Sequence, residues 1–119
     1  MTRILIIDDD VTITQVLCLL LNTHGYKVRT ANSGKDGIQI IRSEALEAVV
    51  LDLMMPDMDG WEVCRQVRTF SDIPILILSA VSDVKSLNEA KQAGANDYLV
   101  KPVPSELLVS RLRTIIHQN

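Results

Sequence analysis

Four well-separated points of the chain carry side chains that could handle phosphorus. Asp8-Asp9-Asp10 follows the apolar run Ile4–Ile7, and Asp52 follows Ala48–Leu51. Ser79 follows Ile75–Leu78, and Lys101-Pro102 follows Tyr98–Val100. Carboxylates crowded together repel and raise one another's pKa, a cost that a divalent cation removes. Oxygen-only ligands suit Mg²⁺, which keeps several waters in its shell. A carboxylate beside such an ion, faced by an ammonium and a hydroxyl, is arranged to attack phosphorus. Metal and ammonium would neutralise the transferring phosphoryl oxygens, and the hydroxyl would bind one of them. Carboxylates are established nucleophiles for aspartyl phosphate formation.

Taken singly, each residue has a plainer explanation. Asp8–Asp10 could cap a following helix, where acids are favourable. Ser79 could cap another, and Lys101 could be an ordinary surface lysine. Convergence on one place is what favours chemistry, so the elements that position these residues decide the reading.

The four apolar runs have strand length, and Lys27–Ala31 alternates like an edge strand. Helical patterns separate them. Ile13, Val16, Leu17, Leu20 and Leu21 share one predicted face, with Gly25 placed to end that helix. Ser33 and Asp36 have capping-box-like spacing, followed by Ile38 and Ile41. Gly60, Val63, Cys64 and Val67 line a third helix, in front of which Asp57 and Asp59 read as caps. Trp61 at its start reads as half-buried packing. Leu108, Leu112, Ile115 and Ile116 line the last helix. The fourth, from about Asp83 to Ala93, offers only Val84, Leu87, Ala90 and Ala93, so it is expected to be held loosely.

Five strands alternating with five helices predict a parallel sheet covered on both faces: a doubly wound (βα)5, flavodoxin-like three-layer sandwich. The first, third and fourth strands are the most apolar and should be central, giving the order 2-1-3-4-5. Ligands of such sheets bind beyond the carboxyl ends of the strands, near the reversal between strands one and three. Asp52 is therefore expected at the lip of that crevice rather than in the interior, where a lone charge would be costly.

At 119 residues with 47% apolar residues, the chain suits one domain, residues 1–119, with a single core. Aromatics are only 3%, so aliphatic residues must fill it. A net charge of −3 and a pI near 5.2 argue against an anionic membrane or a nucleic-acid backbone as partner. The N-terminus is too short for a signal peptide, and Val16–Leu21 is too short for a membrane span. Cys18 and Cys64 lack metal or redox spacing and read as reduced thiols of a cytoplasmic protein.

With these positions in hand, the sequence resembles the receiver domain of two-component response regulators over essentially its whole length. The residues carrying the resemblance are Ile6-Ile7-Asp8-Asp9, Leu51-Asp52-Leu53-Met54-Met55-Pro56 with Asp57-Met58-Asp59-Gly60, Leu78-Ser79-Ala80, Gly94-Ala95-Asn96-Asp97-Tyr98 and Lys101-Pro102. The resemblance implies that Asp52 is the phosphoacceptor for a sensor histidine kinase or phosphotransfer protein. It implies Mg²⁺ bound directly by Asp9, largely through water by Asp8, and by Asp52 and the Met54 carbonyl. Lys101 and Ser79 would hold the phosphoryl group, with small Ala80 leaving room beside it and a cis peptide joining Lys101 to Pro102. Tyr98 would be the second switch residue, turning inward as Ser79 moves toward the phosphate. Because the fourth helix has so small an apolar face, phosphorylation is expected to shift it and bias a surface of helix four, strand five and helix five that controls an output. Such a module catalyses its own phosphorylation and dephosphorylation without being a turnover enzyme.

Some positions depart from the family's commoner pattern. Val103 replaces a frequent Phe, with Pro104 directly after it, so the start of helix five is expected to differ. Met54 and Val81 are apolar where the family tunes loss of the phosphoryl group, which implies a long-lived phosphorylated form. Asp97 and Arg111 match part of the charged set of receivers that form homodimers on the switch surface, whereas Glu89 and Gln92 do not. No effector domain is expected within these residues.

The best rival reading is enzymatic. Asp8-Asp9-Asp10-Val11-Thr12 also resembles the nucleophile motif of haloacid-dehalogenase-type phosphatases, with Asp8 attacking and Asp10 as general acid. No acidic pair follows Lys101, however, and Asp52 goes unexplained. A calcium loop at Asp57–Gly60 fails on its ligand positions, Met55 and Gln66.

Overall fold

Runs of Ile, Leu and Val build the strands, because branched aliphatic side chains pack well on a pleated surface buried on both faces. The computed structural model describes residues 2–117. Its strands are β1 (Arg3–Ile7), β2 (Lys27–Ala31), β3 (Ala48–Leu51), β4 (Ile75–Ser79) and β5 (Asp97–Val100). All pair in parallel, in the order β2-β1-β3-β4-β5. The helices are α1 (Val11–Thr23), α2 (Gly34–Ser43), α3 (Gly60–Arg68), α4 (Val84–Ala93) and α5 (Ser105–Ile116).

The alternation of side chains along each strand divides the core into two layers. Leu5, Ile7, Val49, Leu51, Ile75 and Ile77 face α2, α3 and α4, meeting Ile38, Ile41, Val63, Val67 and Ala90. Ile4, Ile6, Val50, Leu76 and Leu78 face the other way, toward Leu21 of α1 and Leu108, Leu112 and Ile115 of α5. This is the doubly wound sandwich expected from the sequence, with the expected strand order.

Helix ends follow their caps. Asp10, Ser33, Asp59 and Asp83 each accept backbone N–H bonds at the starts of α1 to α4. Gly94 ends α4 with φ of 112°, a left-handed conformation that glycine adopts without penalty. Pro104 precedes α5 and gives it no side-chain cap, so the start of that helix does lack the device the others use.

Three local expectations need correction. Val16 does not face the core: it is 59% exposed, and Thr14 and Leu21 are the buried residues of α1. That helix has no charged residue, so polarity gave no indication of which of its apolar stripes turns inward. Asp57 does not cap α3. Its two carboxylate oxygens accept the N–H groups of Gly34 and Lys35, so it caps α2 across the gap between elements. On α4, Val84 is largely exposed and only Ala90 and Ala93 are buried, leaving that helix a smaller apolar anchorage than its sequence face suggested.

Candidate functional site

The carboxyl ends of β1, β3, β4 and β5 meet at one rim of the sheet. There the chain reverses its direction of strand addition, β1 lying between β2 and β3. Asp8 continues β1 by one residue, and its N–H donates to the Ala31 carbonyl at 3.1 Å. Its side chain is nearly buried and held twice: Oδ1 accepts the Asp10 N–H and Oδ2 accepts Lys101 Nζ, each at 3.0 Å. Asp9 is exposed beside it. Asp10 is occupied as the α1 cap, its Oδ1 accepting the N–H groups of Thr12 and Ile13.

Asp52 continues β3, its N–H donating to the Ile7 carbonyl at 3.0 Å. It is only 9% exposed, so it forms the floor of the crevice rather than its lip. The start of α3 packs directly on this strand end: a Cβ on Gly60 would lie 2.6 Å from the Asp52 carbonyl oxygen. Burial pushes the Asp52 carboxyl above the ordinary range. The Lys101 ammonium opposes that rise, the Asp8 charge adds to it, and the Met54 N–H and Ser79 hydroxyl pull the other way.

Carboxylate oxygens of Asp8, Asp9 and Asp52 all lie within 4.8 Å of one another. Three acids facing one ammonium leave excess negative charge in a partly desolvated crevice, and the donors are all oxygen. That set fits a hard divalent cation such as Mg²⁺. The Met54 side chain points to solvent and is 60% exposed, so only its backbone could join the set.

The opposite wall carries the hydroxyl and the ammonium. Ser79 is fully buried, and its Oγ accepts the Val81 N–H at 3.3 Å. Ser79 thus closes a turn at the end of β4, while Asp83 caps α4 in its place. The Lys101 N–H donates to the Ser79 carbonyl at 2.9 Å, which ties the two residues together through the backbone. A cis peptide joins Lys101 to Pro102. Ala80 is exposed, and Tyr98 is half-buried with its hydroxyl donating to the Val81 carbonyl at 2.6 Å. Burial and the negative charges of Asp83 and Asp52 push the Tyr98 phenol up, against a Ser79 hydrogen bond that lowers it. Asp8, Asp9, Asp52, Ser79 and Lys101 therefore meet at the strand ends, whereas the Met54 side chain points away and the Tyr98 hydroxyl is engaged by Val81. Asn32, at the end of β2, escaped notice: its side-chain amide donates to the Asp8 carbonyl at 2.9 Å. Its place directly after an edge strand was the available signal, but an amide carries no charge to attract attention.

Ligands of doubly wound parallel sheets bind beyond the carboxyl ends of the strands near the switch point, where this acid cluster, hydroxyl and lysine lie. A family model described as the response regulator receiver domain matches residues 4–113. The transcriptional regulatory protein AfsQ1 of Streptomyces coelicolor is 39% identical over 99% of this chain and 52% of its own length. The response regulator MprA of Mycolicibacterium vanbaalenii is 44% identical over 98% of this chain and 51% of its own. The chain thus spans about half the length of these curated relatives. Among solved structures, a two-component response regulator from Clostridium difficile superposes with a TM-score of 0.95 at 30% identity, covering 99% of this chain and 98% of that one. TrrA from Thermotoga maritima, solved in complex with Mg²⁺ and BeF, has a TM-score of 0.88 at 31% identity, covering 97% and 99%. The chain belongs to the response-regulator receiver domain family. Among the described residues, no helix is long and apolar enough to cross a membrane.

Proposed function

We propose that this domain takes a phosphoryl group from a phosphohistidine of a sensor kinase or phosphotransfer protein onto Asp52. The single observation supporting this most strongly is the meeting of three carboxylates within 4.8 Å at the strand ends where Ser79 and Lys101 also lie. An Asp52 oxygen forms the new O–P bond as the P–N bond of the donor breaks, and the departing imidazole nitrogen keeps the electron pair. Asp8, Asp9, Asp52 and the Met54 carbonyl would hold Mg²⁺, which supplies charge neutralisation on the phosphoryl oxygens. Lys101 exchanges part of its pairing with Asp8 for a phosphoryl oxygen, and the Ser79 hydroxyl leaves Val81 to donate to another. Ala80, lacking bulk, keeps that space open.

Phosphorylation adds about −1.5 to −2 charges and three acceptor oxygens, enough to redirect Ser79. In consequence α4, which buries only two alanines, shifts and biases the α4-β5-α5 surface. Tyr98 is suited to follow, its hydroxyl already turned toward the loop that Ser79 begins. A homodimer across this face would draw on Asp97 and Arg111, which in the single chain pair with each other at 2.7 and 2.8 Å. Control of transcription by a longer protein carrying this domain is part of the same proposal, by analogy with AfsQ1. The phosphatase alternative loses its general acid, since Asp10 is committed to the α1 cap.

The test is incubation with a small phosphoryl donor and Mg²⁺, followed by mass location of a base-labile adduct. Modification at Asp52, lost in Asp52→Ala, is expected. Steady phosphate release dependent on Asp8 instead would overturn the reading. Amide spectra of Asp83–Tyr98 that stay unchanged on adding a phosphoryl analogue with Mg²⁺ would overturn the α4 switch.

A further inference from the structure

The acid-bearing turn after β1 has two lateral supports, and only one of them belongs to the machinery described above. Lys101 holds the Asp8 side chain from the β5 side. From the β2 side, Asn32 Nδ2 donates to the Asp8 backbone carbonyl at 2.9 Å. The β1–β2 ladder explains why a side chain is needed there. Regular pairing runs from Arg3 opposite Lys27 to Ile7 opposite Ala31, and the Asp8 N–H still donates to the Ala31 carbonyl. The next rung would need a backbone N–H from β2 for the Asp8 carbonyl. At that point the chain leaves the sheet, since Ser33 already caps α2.

The Asn32 amide supplies the missing donor, extending the sheet by one rung onto the first acid of the cluster. The amide is itself oriented. Its Nδ2 lies 3.3 Å from Thr14 Oγ1, and that hydroxyl donates to the Val11 carbonyl. Thr14 is 2% exposed, the one buried polar residue of α1. The other buried residue of that helix, Leu21, is aliphatic, and its remaining polar side chains are not buried.

We infer that Asn32, held by Thr14, is a positioning residue that fixes Asp8 and Asp9 for cation binding. This rests on the proposed metal-dependent phosphoryl transfer. Ligand orientation by such supporting hydrogen bonds commonly governs metal affinity by about tenfold or more. Without the amide, the Asp8 carbonyl turns to solvent and the turn carrying Asp9 loses its anchor on that side.

The experiment is Mg²⁺ titration of the chain in the absence of any phosphoryl donor, followed through the amide resonances of Asp9 and Asp10. Five proteins are compared: the native chain, Asn32→Ala, Asn32→Asp, Thr14→Val and the double variant of Asn32→Ala with Thr14→Val. Asn32→Ala should weaken Mg²⁺ binding by about tenfold, with a thermal midpoint in EDTA close to native. Asn32→Asp separates positioning from charge. It adds a negative charge near the cation yet cannot donate to the Asp8 carbonyl, so it should also weaken binding; tighter binding would overturn the inference. Thr14→Val should lose a smaller part of the affinity, and adding it to Asn32→Ala should cost nothing further, because the two act through one hydrogen bond. Fully additive losses would overturn the link to Thr14. Native Mg²⁺ binding with Asn32→Ala unchanged refutes the role of Asn32 alone. Absence of Mg²⁺ binding by the native chain refutes the underlying reading of the site.

Discussion

Replacing Asp52 with Asn should stabilise the metal-free domain, the reverse of the usual outcome at a buried position. Asp8 and Asp52 are both buried, and their carboxylate oxygens lie within 4.8 Å. At an effective dielectric constant near 20, two unit charges at that separation repel by roughly 3 kcal/mol. Lys101 attracts Asp52 and offsets part of this, as the opposing influences on the Asp52 carboxyl indicate. A net gain of about 1 kcal/mol on removing the charge is a reasonable central value, equivalent to roughly 4 °C for a chain of this size.

The assay is thermal unfolding followed by circular dichroism near neutral pH, in EDTA and again in excess Mg²⁺. In EDTA, Asp52→Asn should melt above the native chain. With Mg²⁺ at a hundred times its Kd, the native chain should gain about 2.7 kcal/mol by mass action. The variant, short of one anionic ligand, should gain much less, so the order of the two midpoints narrows or inverts. A variant that melts below native in EDTA would refute the charge-crowding argument. An equal Mg²⁺ gain in both proteins would refute the participation of Asp52 in the cation site.

Other consequences can be tested on the same protein. Asp57→Ala should lower stability by about 0.5 to 2 kcal/mol, the usual worth of a cap, with the loss visible in denaturant titration. Desolvation raises the Asp57 carboxyl, but the N–H groups of Gly34, Lys35, Met58 and Asp57 itself outweigh that and hold it below the ordinary range. Its contribution is therefore complete above the unfolded carboxylate pKa near 4 and disappears as pH falls through the lower folded value. The native chain should lose stability over that acid window more steeply than Asp57→Asn; parallel pH profiles would count against the cap. Gly94→Ala should cost about 1 to 3 kcal/mol, because φ of 112° strains any side chain and the new Cβ would lie 2.6 Å from Arg68 Cγ. Arg68 is not free to yield, since it already donates to the carbonyls of Gly94, Ser71 and Ile73. The phosphorylated form should persist well beyond seconds, as the apolar Met54 and Val81 cannot orient an attacking water; rapid phosphate loss in a radiolabel chase would contradict this.

What the sequence determined by itself is local in origin. The five strands, their order and the carriers of the site are legible because aliphatic runs and strand-end positions are properties of short stretches. Asp8, Asp52, Ser79 and Lys101 each follow an apolar run directly, with Asp9 next after Asp8, and a parallel sheet necessarily puts such positions on one rim. The caps of α2 and α3 at Ser33 and Asp59 were equally readable, since their partners lie three residues away. Tertiary structure decided matters that depend on distant segments. The depth of Asp52 depends on how closely α3 packs over the end of β3 at Gly60. Asp57 serves α2 because the loop after β3 passes the start of that helix, 23 residues away in the chain. The buried stripe of α1, a helix without charges, is chosen by the shape of the β-sheet and α5 beneath it. Asn32 meets the Asp8 carbonyl only because the β1–β2 ladder ends at Ile7 opposite Ala31, which leaves that carbonyl without a backbone donor from β2. Helical periodicity and strand endings require only neighbours along the chain, whereas desolvation and cross-element hydrogen bonds require the packed molecule.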